Sequence, residues 1–102
     1  MPEFSNPFAG NNSDKILNER ELVRAVRFSI AGEFEAIQLY EQLADSTDNK
    51  QVKTLLNEIA GDEKEHVGNL LRLLKLICPD EKQFYKDGWE ETEEILKLKD
   101  ED

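Results

Sequence analysis

The sequence predicts an all-α protein: an antiparallel two-helix hairpin followed by a shorter C-terminal helical region. Three observations predict it. Val52, Leu56, Ile59, Glu63, His66, Leu70, Leu73 and Ile77 recur at alternating steps of four and three, the spacing of a helical seam buried against a partner. Leu22, Val26, Ser29, Glu33, Ala36, Tyr40 and Leu43 form a similar seam upstream. Only Asp45-Ser46-Thr47-Asp48-Asn49 separates the two runs, and helices joined by so short a connection are antiparallel neighbours.

Met1 to Asn12 contains Pro2, Pro7, Gly10 and paired asparagines, and reads as a flexible arm over residues 1–12, with Phe4 and Phe8 free to dock. Ser13 or Asp14 can cap the first helix, which then runs to about Asp45 and measures roughly 45 Å at 1.5 Å per residue. Arg20, Arg24 and Arg27 line one face of its first half, an arrangement suited to ion pairs with acidic neighbours or subunits. Val23, Ile30, Ile37 and Ala44 follow one residue behind the seam and widen the apolar face. Gly32 costs roughly 1 kcal/mol against Ala in mid-helix, and close approach of another helix beside Glu33 would account for it.

Asp48 is the expected cap of helix two, with Gln51 completing a capping-box-like pair. Pro79 stops that helix at Cys78. Its last turns are apolar almost all round, more surface than a hairpin can bury, which implies further packing or an oligomer. A third helical stretch runs from Asp80 to about Asp87; Gly88 interrupts it, and Trp89 to about Lys99 forms another, with Trp89 as an interface anchor. Asp100-Glu101-Asp102 is a solvated acidic tail. The expected organisation is therefore an arm (1–12), a helical domain (13–99) and a tail (100–102).

The 102 residues suffice for one small domain. A formal charge of −10, from 23 acidic and 13 basic residues, argues against nucleic acid or an anionic membrane as partner. It is compatible with gathering metal cations, and equally with simple solubility. The single cysteine, Cys78, excludes an intrachain disulfide, fits a reducing compartment and reads as a small buried hydrophobe. Met1 to Asp14 has no apolar core of a signal peptide, and Leu70 to Cys78 is broken by Arg72 and Lys75, so no run spans a bilayer. A soluble, cytoplasmic protein is expected. There is no glycine-rich phosphate loop, no Cys-x-x-Cys, no nucleophile with a histidine partner and no internal repeat.

The chemistry concentrates in Gly61-Asp62-Glu63-Lys64-Glu65-His66, which holds the only histidine. Glu63 and His66 are three apart and neighbours on a helix. Both lie on a seam where apolar residues belong, as does Glu33 on the other helix. An unpaired buried carboxylate costs several kcal/mol. Neither seam offers Lys or Arg, so the nearest compensation is a bound cation. Two carboxylates and one imidazole suit iron, manganese or zinc better than calcium. In an antiparallel hairpin Glu33 lies about a dozen residues before the turn and Glu63–His66 about as far after it, at one height. Di-iron centres of four-helix bundles draw a Glu from each of two helices and a Glu-x-x-His from each of the other two. This chain supplies half that set, and two chains about a two-fold axis supply the whole. Two copies of Glu33 and Glu63 carry −4, matching two divalent irons.

Glu33-Phe34-Glu35-Ala36-Ile37-Gln38-Leu39-Tyr40, followed about thirty residues later by Asp62-Glu63-Lys64-Glu65-His66, resembles the encapsulated ferritins, short ferritin-like proteins housed in encapsulin nanocompartments. The resemblance covers roughly Asp14 to Asp87, including the Ser46-Thr47-Asp48 turn. It implies a ferritin-like four-helix bundle completed by dimerisation, and a ferroxidase with two irons per dimer interface on Glu33, Glu63 and His66. It also implies a tyrosine, Tyr40, close to that centre, assembly as a decameric ring of dimers, and an encapsulin shell, fused or separate, as partner. The expected location is a nanocompartment within the cytoplasm. The family's metal-uptake site uses two acidic residues on the outer side of helix one; Glu35 matches one, whereas Gly32 stands at the other. Leu39 replaces a tryptophan of some relatives, and no targeting tail follows Lys99. Two rival readings share the residues: a rubrerythrin-like peroxide-scavenging di-iron protein, and a non-catalytic helical oligomerisation module whose polar seam residues set register. Absence of cysteine from the cluster disfavours structural zinc.

Overall fold

The computed structural model describes residues 12–98. The expected arm, apart from Asn12, and the acidic tail lie outside the described residues. Three helices make up the chain: α1 (Glu19–Asp45), α2 (Lys50–Ile77) and α3 (Glu81–Leu96). Among the described residues there is no strand. The α1–α2 hairpin and the shorter C-terminal helix agree with the expected fold class.

Helix α1 begins later than a Ser13 or Asp14 cap implies. The Asn18 side chain accepts from the Glu21 N–H at 2.9 Å, and the Glu21 carboxylate accepts from the Asn18 N–H at 2.9 Å. This reciprocal capping box satisfies two donors at once, which neither earlier candidate does. At the other end α1 has no basic residue in its last turn. Lys53 of α2 fills that role, donating to the Ala44 carbonyl at 2.7 Å and tying the two helices beside the turn. Asn49 caps α2 in place of Asp48, accepting from the N–H groups of Gln51 and Val52, both at 3.1 Å. Helix α3 runs unbroken through Gly88. One glycine costs roughly 1 kcal/mol, which the helix-forming residues on either side absorb. It stops at Lys97, in the left-handed region with φ 56°, where the Leu98 N–H bonds the Glu93 carbonyl at 2.8 Å.

The hairpin buries Val23, Val26, Ile30, Ile37 and Ala44 of α1 against Ala60, Val67 and Leu74 of α2. This corrects the expected seams. The stripe expected to widen the face is the buried one, and small Ala44 and Ala60 let the helices close on it. Of the expected seams only Val26 is buried; the rest lies roughly 70° round each helix at 100° per residue and is half-buried or exposed. Leu22, Leu43, Val52 and Leu73 on it are each 41–46% exposed. A Cβ at Gly32 would meet nothing within 4 Å, so among the described residues no helix approaches there.

Helix α3 buries no residue and diverges from the hairpin. The radius of gyration is accordingly 17.4 Å, against about 13 Å for a compact chain of this length. One carboxylate joins the three elements: Glu81 accepts from the Arg27 guanidinium of α1, from the Tyr85 hydroxyl of α3 and, at 3.1 Å, from the Cys78 thiol that ends α2. Arg27 thus makes an ion pair as expected, whereas Arg20 and Arg24 make none among the described residues. Cys78 is half-buried rather than fully so, and its thiol pKa is raised by the bond to Glu81.

Hydrogen bonds from Tyr85, Cys78 and Arg27 lower the Glu81 carboxyl from an ordinary 4.5 to about 2. A folded-state pKa below the unfolded one means that the joint stabilises fully above about pH 4.5 and loses its contribution as pH falls towards about 2. The expected result is a melting-temperature gap between the protein and its Glu81→Gln variant that is constant above pH 4.5 and closes by about pH 2. Thermal scans across that range, followed by Trp89 fluorescence on α3, measure it; a gap indifferent to pH contradicts the role given to this carboxylate.

Candidate metal centre

Antiparallel pairing about a short turn fixes the height of the cluster. Glu33 lies twelve residues before the end of α1, and Glu63 thirteen after the start of α2. Glu63 and His66 share a face one helical turn apart. The result is a convergence of Glu33, Glu63 and His66, one donor atom from each lying within 4.8 Å of the others. His66 Nδ1 stands 3.4 Å from a Glu63 oxygen and 3.7 Å from a Glu33 oxygen. These separations exceed a good hydrogen bond. They approach the roughly 3.0–3.5 Å between ligands that each lie about 2.1 Å from one ion. Among the described residues no other three such side chains converge.

The surroundings fit a cation. Both glutamates are half-buried, so their charges are only partly solvated. Lys64, beside Glu63 in sequence, turns away to pair with Glu41 of α1 at 2.8 Å. That cross-helix pair clamps the hairpin near the cluster without neutralising it, and no sequence pattern marked it out. His66 is half-exposed at 50% of its side chain, so the cluster opens onto the uncovered stripe rather than into the hairpin interior.

Tyr40 lies two turns beyond Glu33 on the same stripe of α1 and is half-buried. Among the described residues its hydroxyl makes no hydrogen bond, and the structure does not bring it into the cluster. Glu35 lies about 200° round the helix from Glu33 and points away from the cluster. One of its carboxylate oxygens is shielded from solvent and has no hydrogen-bond partner.

An antiparallel helix pair that brings Glu from one helix and Glu-x-x-His from the next to a single point defines a ferritin-like protein. The comparisons with known proteins agree. The rubrerythrin family matches residues 25–101. The chain is 37% identical over 84 residues to a ferritin-like–encapsulin shell fusion protein of Pyrococcus furiosus, covering 82% of this chain and 24% of that one. It is 32% identical over 90 residues to the encapsulin nanocompartment cargo protein EncC of Myxococcus xanthus, covering 88% and 68%. The crystal structure of the encapsulated ferritin domain from Pyrococcus furiosus matches with a TM-score of 0.82 at 35% identity, over 92% of this chain and 95% of that one. The chain belongs to the encapsulated ferritins, within the rubrerythrin family. It spans about a quarter of the length of the fusion protein.

Proposed function

We propose that the chain is a ferroxidase that oxidises Fe(II) to Fe(III) with oxygen at a di-iron site formed between two copies, with Glu33, Glu63 and His66 of each as ligands. The observation that carries this reading is the half-set of ligands held at the centre of an uncovered apolar stripe. Leu22 and Leu43 flank Glu33, and Val52 and Leu73 flank Glu63 and His66, all of them exposed. A second copy laid on this stripe about a two-fold axis covers those four apolar side chains and brings two half-sets together.

Fe(II) is the substrate. Two ferrous ions side by side supply the two electrons that, with two protons, reduce one oxygen to hydrogen peroxide. The four glutamates of the paired site match the charge of two ferrous ions and favour the ferric product. Glu63 and His66, one turn apart on α2, present carboxylate and imidazole on the same face towards the cluster. Tyr40, two turns along the stripe, is placed to orient a small polar ligand once the second copy closes the site. Glu35, on the outer side of α1, is the residue for metal uptake by its match to one of the family's two acidic uptake positions.

Relatives named as encapsulin cargo and as a shell fusion support an encapsulin partner, fused or separate, and residence in a cytoplasmic nanocompartment where the iron is stored. No helix among the described residues is long and apolar enough to cross a membrane. The functional unit is the helical domain 13–99, assembled from dimers into a decameric ring.

The rubrerythrin family match also favours a second reading, peroxide scavenging at the same ligands. Single-turnover oxidation of bound Fe(II) by oxygen and by hydrogen peroxide separates the two. The ferroxidase reading expects fast oxidation by oxygen; oxidation fast only with peroxide selects the second reading.

A further inference from the structure

The end of α2 and the start of α3 form a half-open cavity of about 240 Å³ that shares no residue with the metal cluster. Leu71, Leu74, Lys75 and Cys78 line it from α2 and its end, and Lys82 and Tyr85 from α3. Its walls are almost wholly apolar. The Cys78 thiol and the Tyr85 hydroxyl both donate to Glu81, so the two neutral polar groups of the wall are already satisfied by one carboxylate. Leu74 forms a buried floor at 4% exposure. Leu71 and Tyr85 are 46% and 53% exposed and leave apolar surface for an occupant to cover.

Charge selects the occupant. Lys75 comes from α2 and Lys82 from α3, and neither ammonium group makes an ion pair among the described residues. Glu81, beside Lys82 in sequence, leaves that charge uncompensated because its carboxylate is taken by Arg27. A lysine lays its stem along apolar surface and keeps its charged head in water. The cavity therefore offers an apolar interior and a cationic rim supplied by two helices. An anion with an apolar body fits both: the body displaces water from Leu71 and the Tyr85 ring, and the head meets the two ammonium groups. A bare inorganic anion leaves the interior uncovered, and an organic cation meets the lysines as like charges. Size narrows the class further. At roughly 30 Å³ for a group the size of a water molecule, the space accommodates about eight such groups.

We propose that this cavity binds a medium-chain carboxylate of about eight carbons, its tail against Leu71, Leu74 and Tyr85 and its head between Lys75 and Lys82. Because the walls come from both helices, the bound carboxylate adds a second tie between α2 and α3 beside the Glu81 joint. The site needs neither the iron chemistry nor a second copy.

The test is titration calorimetry of the full chain with octanoate, with helix content by circular dichroism as the check on folding. Saturable binding of a single octanoate per chain is expected. Acetate, which lacks the tail, and octylammonium, which reverses the charge, should not bind. Lys75→Gln combined with Lys82→Gln changes two exposed side chains, so the fold is retained, and octanoate binding should weaken at least about 10-fold. Lys86→Gln, one turn further along α3 and outside the cavity, should bind as the wild type does. Absence of saturable octanoate binding to the wild type overturns the proposal and leaves the cavity to a side chain of another copy. Undiminished affinity in the double lysine variant, or equal affinity for octylammonium, overturns it as well, by removing the lysines from the recognition.

Discussion

Replacing Glu63 by alanine is expected to abolish rapid Fe(II) oxidation. Glu63 is one of two carboxylates in the cluster and the one that approaches His66 most closely, at 3.4 Å. In a paired site the substitution removes two of four glutamates, leaving two ferrous ions undercompensated. Loss of an outer-shell partner alone typically costs 10–100-fold at a metal site, so loss of a ligand should cost at least about 100-fold. Alanine is the better helix former, and Glu63 lies outside the buried hairpin core, so stability should hold or rise slightly. Glu65→Ala, two residues away and outside the cluster, is the control and should oxidise iron normally. Stopped-flow absorbance of the ferric product measures both variants; wild-type turnover in Glu63→Ala would remove the cluster from the chemistry.

Leu73→Glu, combined with Leu43→Glu, is expected to split the dimer and silence the site with every ligand intact. Both leucines are more than 40% exposed in the single chain, so the hairpin tolerates charges there. In the pair they become buried, and an uncompensated charge in such an interface costs several kcal/mol, counted twice by the two-fold axis. The dimer dissociation constant should rise by more than about 10³-fold. Mass in solution and oxidation rate should therefore fall together. Monomers that still oxidise iron rapidly would show a site complete within one chain. A dimer that persists would place the pairing on another surface.

Much of this was legible in the sequence, and the failures have physical causes. The Glu33, Glu63 and His66 convergence could be read because charged residues interrupt two apolar seams at matching distances from one short turn. Which stripe faces the chain's own partner helix could not. Alternating steps of four and three give a spacing, but Leu22, Ser29 and Leu43 recur at the same period as Val23, Ile30 and Ala44. Closeness of approach decides between them, and Ala44 and Ala60 allow it on the second stripe. Gly88 does not interrupt α3, since roughly 1 kcal/mol does not break a helix whose neighbours favour it. The caps slipped because Asn18 and Asn49 offer better-placed acceptors than Ser13 or Asp48. The Glu81 joint left no local trace, since Arg27 lies 54 residues from it in sequence.

The central claim, that two copies share one di-iron site, is tested most directly by an anaerobic Fe(II) titration followed by oxygen, with assembly mass recorded at each point. Rapid oxidation is expected to saturate at about one iron per chain, and only in dimers or larger species. Oxidation at the rate of buffer alone with no iron bound, or saturation at the same ratio in monomers, would contradict it.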